Sequence, residues 1–178
     1  PSPHLLSSII KYQNKKYNIE DFELETVWNS QIKPSDFEKL NNFFWLFSLD
    51  LKSSKKTVKR VITNWITNNS HFKKESWEFD MTAKRIISCL SNHPLTYDDN
   101  DKEYRLMFDH MIQKQTNHLL NEIKNSKDLE NKIIGCSAII LTGLCYKIEK
   151  SYLDIGLNFL KKVTNSSIDN QGLSLIHI

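Results

Sequence analysis

From Phe37 onward, apolar side chains recur every three or four positions, the spacing that lines one face of an α-helix. Phe37, Leu40, Phe43, Phe44 and Phe47 predict a first helix. Ser35 and Glu38 precede it at capping-box spacing, where each side chain satisfies a free backbone N–H. Val58, Val61, Ile62, Trp65 and Ile66 predict a second, with Lys55, Lys56, Lys59 and Arg60 largely off its stripe. A third is expected over about 80–91 on Ala83, Ile86, Ile87 and Leu90. Asn92-His93-Pro94 should end it, because proline disfavours helix in the residue before it. The acidic turn Asp98-Asp99-Asn100-Asp101 opens the longest helix, which carries Tyr104, Met107, Phe108, Met111, Ile112, Leu119 and Ile123. Beyond Asn125-Ser126, a helix over about 128–147 is apolar on most sides and is expected to be the most buried. The last, about 150–164, presents Tyr152, Ile155, Phe159, Leu160 and Val163.

Six helices on short links, with no strand pattern among them, predict an all-α chain built of helical hairpins. Four Gly and four Pro in 178 residues suit that choice, since a sheet fold needs more turns. Residues 1–34 lack a sustained period and are read as an irregular N-terminal segment. Within it, Tyr17 to Phe22 is open to a short strand or to a cover over the helices. The string Leu173-Ser174-Leu175-Ile176-His177-Ile178 has no helix to bury against and is read as a non-native tail, with the natural sequence continuing differently beyond Gly172. The opening Pro1-Ser2-Pro3-His4, without Met, suggests that the native N-terminus lies upstream.

Charge and candidate chemistry narrow the function classes. A net charge of +3 is too small to argue for nucleic acid, and Lys52–Arg60 reads as a solvated helix face. No apolar run approaches the roughly 18–20 residues of a membrane span. Six scattered histidines, without H-E-x-x-H, point to no metal site. Neither phosphate-cradling glycine loops nor a nucleophile elbow are present, so nucleotide-binding and serine-hydrolase classes lack support, and no cofactor is expected. Cys89, Cys136 and Cys145 form no C-x-x-C and are expected as buried small hydrophobes. Gln115 and His118, three apart, share one helical face and need polar partners if buried. Trp77 precedes the third helix and should pack under it. Arg85 on that helix is a candidate either for structure or for binding a carboxylate bidentately.

Taken in order, several segments resemble the heparinase II/III-like polysaccharide lyases of the alphaproteobacterial type. Phe43-Phe44-Trp45-Leu46-Phe47-Ser48-Leu49 is similar to that family's aromatic helix, and Asn64-Trp65-Ile66 to the end of the next. Trp77 with Arg85-Ile86-Ile87-Ser88-Cys89-Leu90 matches a spaced Trp–Arg pattern. Gln115-Thr116-Asn117-His118-Leu119 matches Q-x-x-H-L, and Thr142-Gly143-Leu144 an A-G-L helix end. Of the final D-G-G-H element, only Asp169-Asn170-Gln171-Gly172 remains.

The resemblance covers 35–172. It implies a bacterial protein, periplasmic or cytoplasmic, in which this stretch is part of an incomplete α/α toroid of antiparallel helical hairpins. A C-terminal β-sandwich of the same chain would close over the cleft. The ligand would be an acidic polysaccharide, and the chemistry β-elimination next to a uronic acid. Trp45, Trp77, Arg85, Gln115, His118 and Asn131 are then the substrate-binding candidates, expected to line one concave surface. The family's catalytic Asn-His position falls on Glu130-Asn131, where no histidine stands. The departure leaves the fragment itself without an expected activity, and brings in a rival class: a non-catalytic α/α scaffold that binds a glycan or a protein partner.

Overall fold

The computed structural model describes residues 33–49, 55–146 and 150–171, with two paired segments at 11–12 and 15–16. Tyr17–Phe22, the tail at 173–178 and Gly172 lie outside the described residues. Lys11–Tyr12 (β1) and Lys15–Lys16 (β2) form a two-residue antiparallel ladder. All other regular structure among the described residues is helical: α1 Pro34–Asn41, a 3-10 turn Phe44–Ser48, α2 Lys55–Asn69, α3 Phe79–Ser91, α4 His93–Thr96, α5 Lys102–Glu122, α6 Leu129–Cys145 and α7 Lys150–Gln171. None of the described helices is long and apolar enough to cross a membrane.

The aromatic stretch after Pro34 departs from the single helix expected of it. The predicted Ser35–Glu38 box is not used: Lys33 is the N-cap, without a side-chain bond, and Pro34 stands in the first turn, where its missing N–H costs nothing. The helix then stops at Asn41. Asn42 accepts the Phe44 N–H through its side-chain oxygen at 2.9 Å, a local bond that competes with continuing the helix. Phe43 takes a left-handed conformation, φ 60°. That conformation costs a non-glycine residue about 1–2 kcal/mol. Full burial of a Phe side chain returns about 1.5–3 kcal/mol, and Phe43 is completely enclosed against Trp45 and Trp65, with ring centroids 5.5 and 5.7 Å away. The break also turns Phe44 and Phe47 outward, 44% and 53% exposed, where the periodic stripe had them buried.

Elsewhere the boundaries follow local chemistry. Asp101 caps α5 by accepting the Tyr104 N–H at 3.0 Å, and Asp128 caps α6 through the Asn131 N–H at 2.8 Å. The Asn92-His93-Pro94 stop ends α3, yet Pro94 is placed where the first turn of α4 tolerates it. α7 runs on to Gln171, past the expected end near 164.

Contacts give the helix directions. Trp65 meets Arg85 and Asn69 meets Ser76, so α2 and the stretch through α3 run in opposite senses. Arg85 bonds Gln115 while Trp77 meets His118, so α3 opposes α5. Thr116 faces Thr142 and Asp109 faces Tyr146, so α5 opposes α6. Leu153 meets Gly143 and Ile140 meets Gly156, so α6 opposes α7.

α6 is not the enclosed helix expected from its composition. Its inward face is made of small residues and Ile139, while Ile133 and Leu144 are 39% and 59% exposed. Cys136 is buried as expected, but Cys145 is exposed. The small residues let backbones approach: a Cβ on Gly143 would lie 2.4 Å from the Leu153 backbone nitrogen.

Candidate functional site

Arg85 organises the interior. Its guanidinium is fully buried and has no carboxylate partner among its hydrogen bonds. Nε donates to Gln115 Oε1 at 2.9 Å, one terminal nitrogen to the Asn41 carbonyl at 2.6 Å, and the other to the Ser76 carbonyl and Thr82 hydroxyl at 3.0 and 3.2 Å. The cation lies 4.1 Å from the centre of the Trp65 ring. Burial brings its pKa down to about 9, so it is still cationic at neutral pH. The same charge opposes, without outweighing, the burial that pushes the Cys89 thiol up to about 12. Gln115 turns its oxygen to Arg85 and leaves its buried nitrogen without a protein acceptor, which shows whose demand sets its orientation.

Around this centre the tryptophans are fixed by their N–H groups. Trp65 donates to Asn41 Oδ1 at 2.8 Å, Trp45 to the Leu40 carbonyl at 3.3 Å, and Trp77 to the Asn69 carbonyl at 3.2 Å. Asn69 also receives the Ser76 hydroxyl at 2.8 Å. The loop between α2 and α3 is thereby tied to the end of α2.

At that loop the interior gives way to an open surface. Phe72, 60% exposed, packs beside Trp77 and His118, with centroids 6.1 and 5.4 Å apart, and Trp77 and His118 stand edge to face at 5.6 Å. His118 Nε2 lies 2.9 Å from the Trp77 carbonyl oxygen. A carbonyl only accepts, so Nε2 carries the proton and Nδ1 keeps the lone pair in the neutral ring. Two depressions share Trp77. One, about 570 Å³, is bordered by Phe72, Phe79 and His118 with Glu75, Glu78 and Glu122. The other, about 440 Å³, is bordered by Met107 and Met111 with His71, His110 and Lys114. Lys114 donates to the Ser70 carbonyl and holds its ammonium 5.8 Å from the Trp77 ring centre.

The expectation of one concave surface is therefore not met. Arg85 and Gln115 are sealed inside, Trp45 and Trp77 are buried in the core, with Trp77 beneath the two depressions, and His118 is half-buried at the edge of the larger one. Asn131 is half-buried and serves the first turn of α6, while Glu130 is exposed; neither borders either depression. Motif residues buried as Arg85 is cannot touch a ligand without unfolding. Phe72, His110 and Lys114 are the surface residues that motif matching missed. His110, Lys114 and His118 are spaced by four along α5, a stripe readable as one polar helix face, exposed at His110 and half-buried at Lys114 and His118. Phe72 had a signal too, as an aromatic residue stranded in a polar stretch.

Among the described residues no cluster of His, Cys, Asp or Glu is placed to hold a metal ion. No family model, curated protein or solved structure matches the chain.

Proposed function

We propose that the chain is part of a heparinase II/III-like protein and that the Trp77 surface holds a stretch of uronate-containing acidic glycan. The observation that carries this reading is the exposed Phe72 ring, packed on the buried Trp77 and the half-buried His118 beside a depression of about 570 Å³, with the Lys114 ammonium 5.8 Å from the Trp77 ring centre. A sugar ring has an apolar C–H face that packs on aromatic rings, and a polar rim that needs donors and charges. The antiparallel helices belong, on this reading, to an α/α toroid whose remaining hairpins complete the cleft.

In the intact lyase, a cationic or hydrogen-bonding group neutralises the uronate carboxylate and acidifies the neighbouring carbon-bound proton. A base takes that proton. The freed electron pair forms the carbon–carbon double bond as the glycosidic oxygen leaves, taking up a proton of its own. The described residues supply binding rather than that step, because Glu130 and Asn131 stand where the resemblance puts Asn-His and lie away from both depressions. This same departure favours the second reading, a glycan- or protein-binding α/α scaffold without chemistry.

Titrating the chain with uronate-containing oligosaccharides, followed by tryptophan fluorescence, tests the shared part of both readings. Saturable quenching that Phe72→Ala weakens is the expected result. Binding to no acidic glycan would sink the proposal. Assaying the full-length product for ultraviolet absorbance of unsaturated uronate then separates lyase from scaffold.

A further inference from the structure

On the glycan-binding reading above, we propose that the Trp77 surface selects chains in which a single carboxylate-bearing sugar is followed by an uncharged one, and rejects densely sulfated chains. The two depressions meet at Trp77 but differ in charge. Among the described residues, His71, His110 and Lys114 border the smaller one, and no carboxylate does. Glu75, Glu78 and Glu122 border the larger one, with Lys74 as the only Lys or Arg among the described residues there. Trp77, buried beneath the surface, borders both, so a chain that spans the two depressions places adjacent units on opposite sides of that boundary.

An anionic group fits the smaller depression, where the Lys114 ammonium is held in place by its bond to the Ser70 carbonyl. The sugar across Trp77 then meets carboxylates. Hydroxyl and amide N–H groups donate to them, whereas a sulfate meets the like charges of Glu75, Glu78 and Glu122 on the same rim. Like-charge juxtaposition governs which partner is excluded more than how tightly the right one binds. A surface meant for a uniform polyanion would not carry three carboxylates on half of its rim.

The test is direct binding of the full chain at physiological salt to hyaluronan oligosaccharides, which alternate uronate with an uncharged hexosamine, and to heparin oligosaccharides of equal length. Hyaluronan is expected to bind about tenfold more tightly, one decade in Kd. The variant Glu75→Gln/Glu78→Gln/Glu122→Gln should close most of that gap by gaining heparin. Its three positions carry their charges at the surface, and helical circular dichroism confirms its fold. Lys114→Gln should weaken hyaluronan and leave the triple-variant effect in place. Equal or tighter heparin binding by the unaltered chain, unmoved in the triple variant, overturns the selectivity while the glycan reading stands. Binding of neither polymer overturns both.

Discussion

Two parts of the molecule hold helices together by opposite means. Between α1, α2, α3 and α5, one buried cation collects two carbonyls, an amide and a hydroxyl that its neighbours leave unpaired. Between α6 and α7, contact depends on side chains that are missing: Gly143 and Gly156 admit Leu153 and Ile140 at distances no Cβ would allow. The first interface is directional and fails when a donor is lost. The second is steric and fails when an atom is gained. Resemblance to a binding motif made no such distinction, which is why Arg85 looked like a ligand-binding residue and is instead a keystone.

The largest expected effect breaks the first interface. Arg85→Met keeps bulk but strands buried acceptors at Asn41, Ser76 and Gln115, and removing one side of such a network costs about 3–5 kcal/mol. A fall in thermal midpoint of roughly 10 °C follows from about 2–4 °C per kcal/mol. Arg85→Lys should recover little, because an ammonium cannot reach acceptors spread around a planar fork. Full rescue by Lys would show that charge alone matters and undo the keystone argument.

Next in size is the steric interface. Gly143→Ala gains up to about 1 kcal/mol of helix propensity but drives a methyl against the Leu153 backbone, which cannot yield, so a net loss of about 2 kcal/mol is expected. Gly135→Ala is the internal control. The three atoms nearest its Cβ all belong to the ring of Phe79, a half-buried side chain able to swing aside. Urea midpoints that fall equally for both would remove the distinction between backbone and side-chain obstruction.

The helices themselves were legible because burial of one face imposes a 3.6-residue period. Phe108, Met111, Ile112 and Leu119 lie inside as their spacing demands. The break at Asn42–Phe43 was not legible, since it depends on how Trp45 and Trp65 enclose Phe43, a contact between segments distant in sequence. Nor does a Trp–Arg or Gln–His spacing reveal whether its side chains point at solvent or at one another. The motif found His118, which is half-buried at the surface, together with Trp77, Arg85 and Gln115, which are buried. The stripe His110–Lys114–His118 carried better information about exposure than any of the matched motifs.

A third, smaller effect lies in the tie between α5 and the end of α6. Asp109 accepts the Tyr146 hydroxyl at 2.8 Å and the Tyr97 hydroxyl at 3.1 Å. Burial first, and then the Asp109 charge, push the Tyr97 phenol up to about 12 from its ordinary 10. The folded state therefore keeps a proton that the unfolded chain loses. The sign is fixed: this stabilisation is complete below pH 10 and fades as pH rises from 10 through 12. Tyr97→Phe should flatten that part of the alkaline limb, and Tyr146→Phe should cost about 1 kcal/mol at neutral pH. An alkaline limb identical in Tyr97→Phe would show that another group sets it.

The smallest effect sits at the surface, where Lys59 on α2 reaches Asp98 at 2.9 Å and Asp101 at 2.6 Å and lies 5.1 Å from the Tyr104 ring centre. Its hydrogen bonds to the two carboxylates hold both below their ordinary value of 3.8, and raise the lysine in turn. For the acids, the stabilisation is present above pH 3.8 and drains away as pH falls through the depressed values. Lys59→Met should lower the midpoint slightly at neutral pH, by an amount that shrinks as pH falls below 3.8 and as salt is added, because a part-exposed pair is screened. That loss should stay well short of the one from Arg85→Met. One buried cation without a carboxylate holds the fold, while one part-exposed cation with two carboxylates adds a small stabilisation that acid removes. A Lys59→Met loss as large as that of Arg85→Met would mean that the start of α5, and not the buried guanidinium, is the weaker joint.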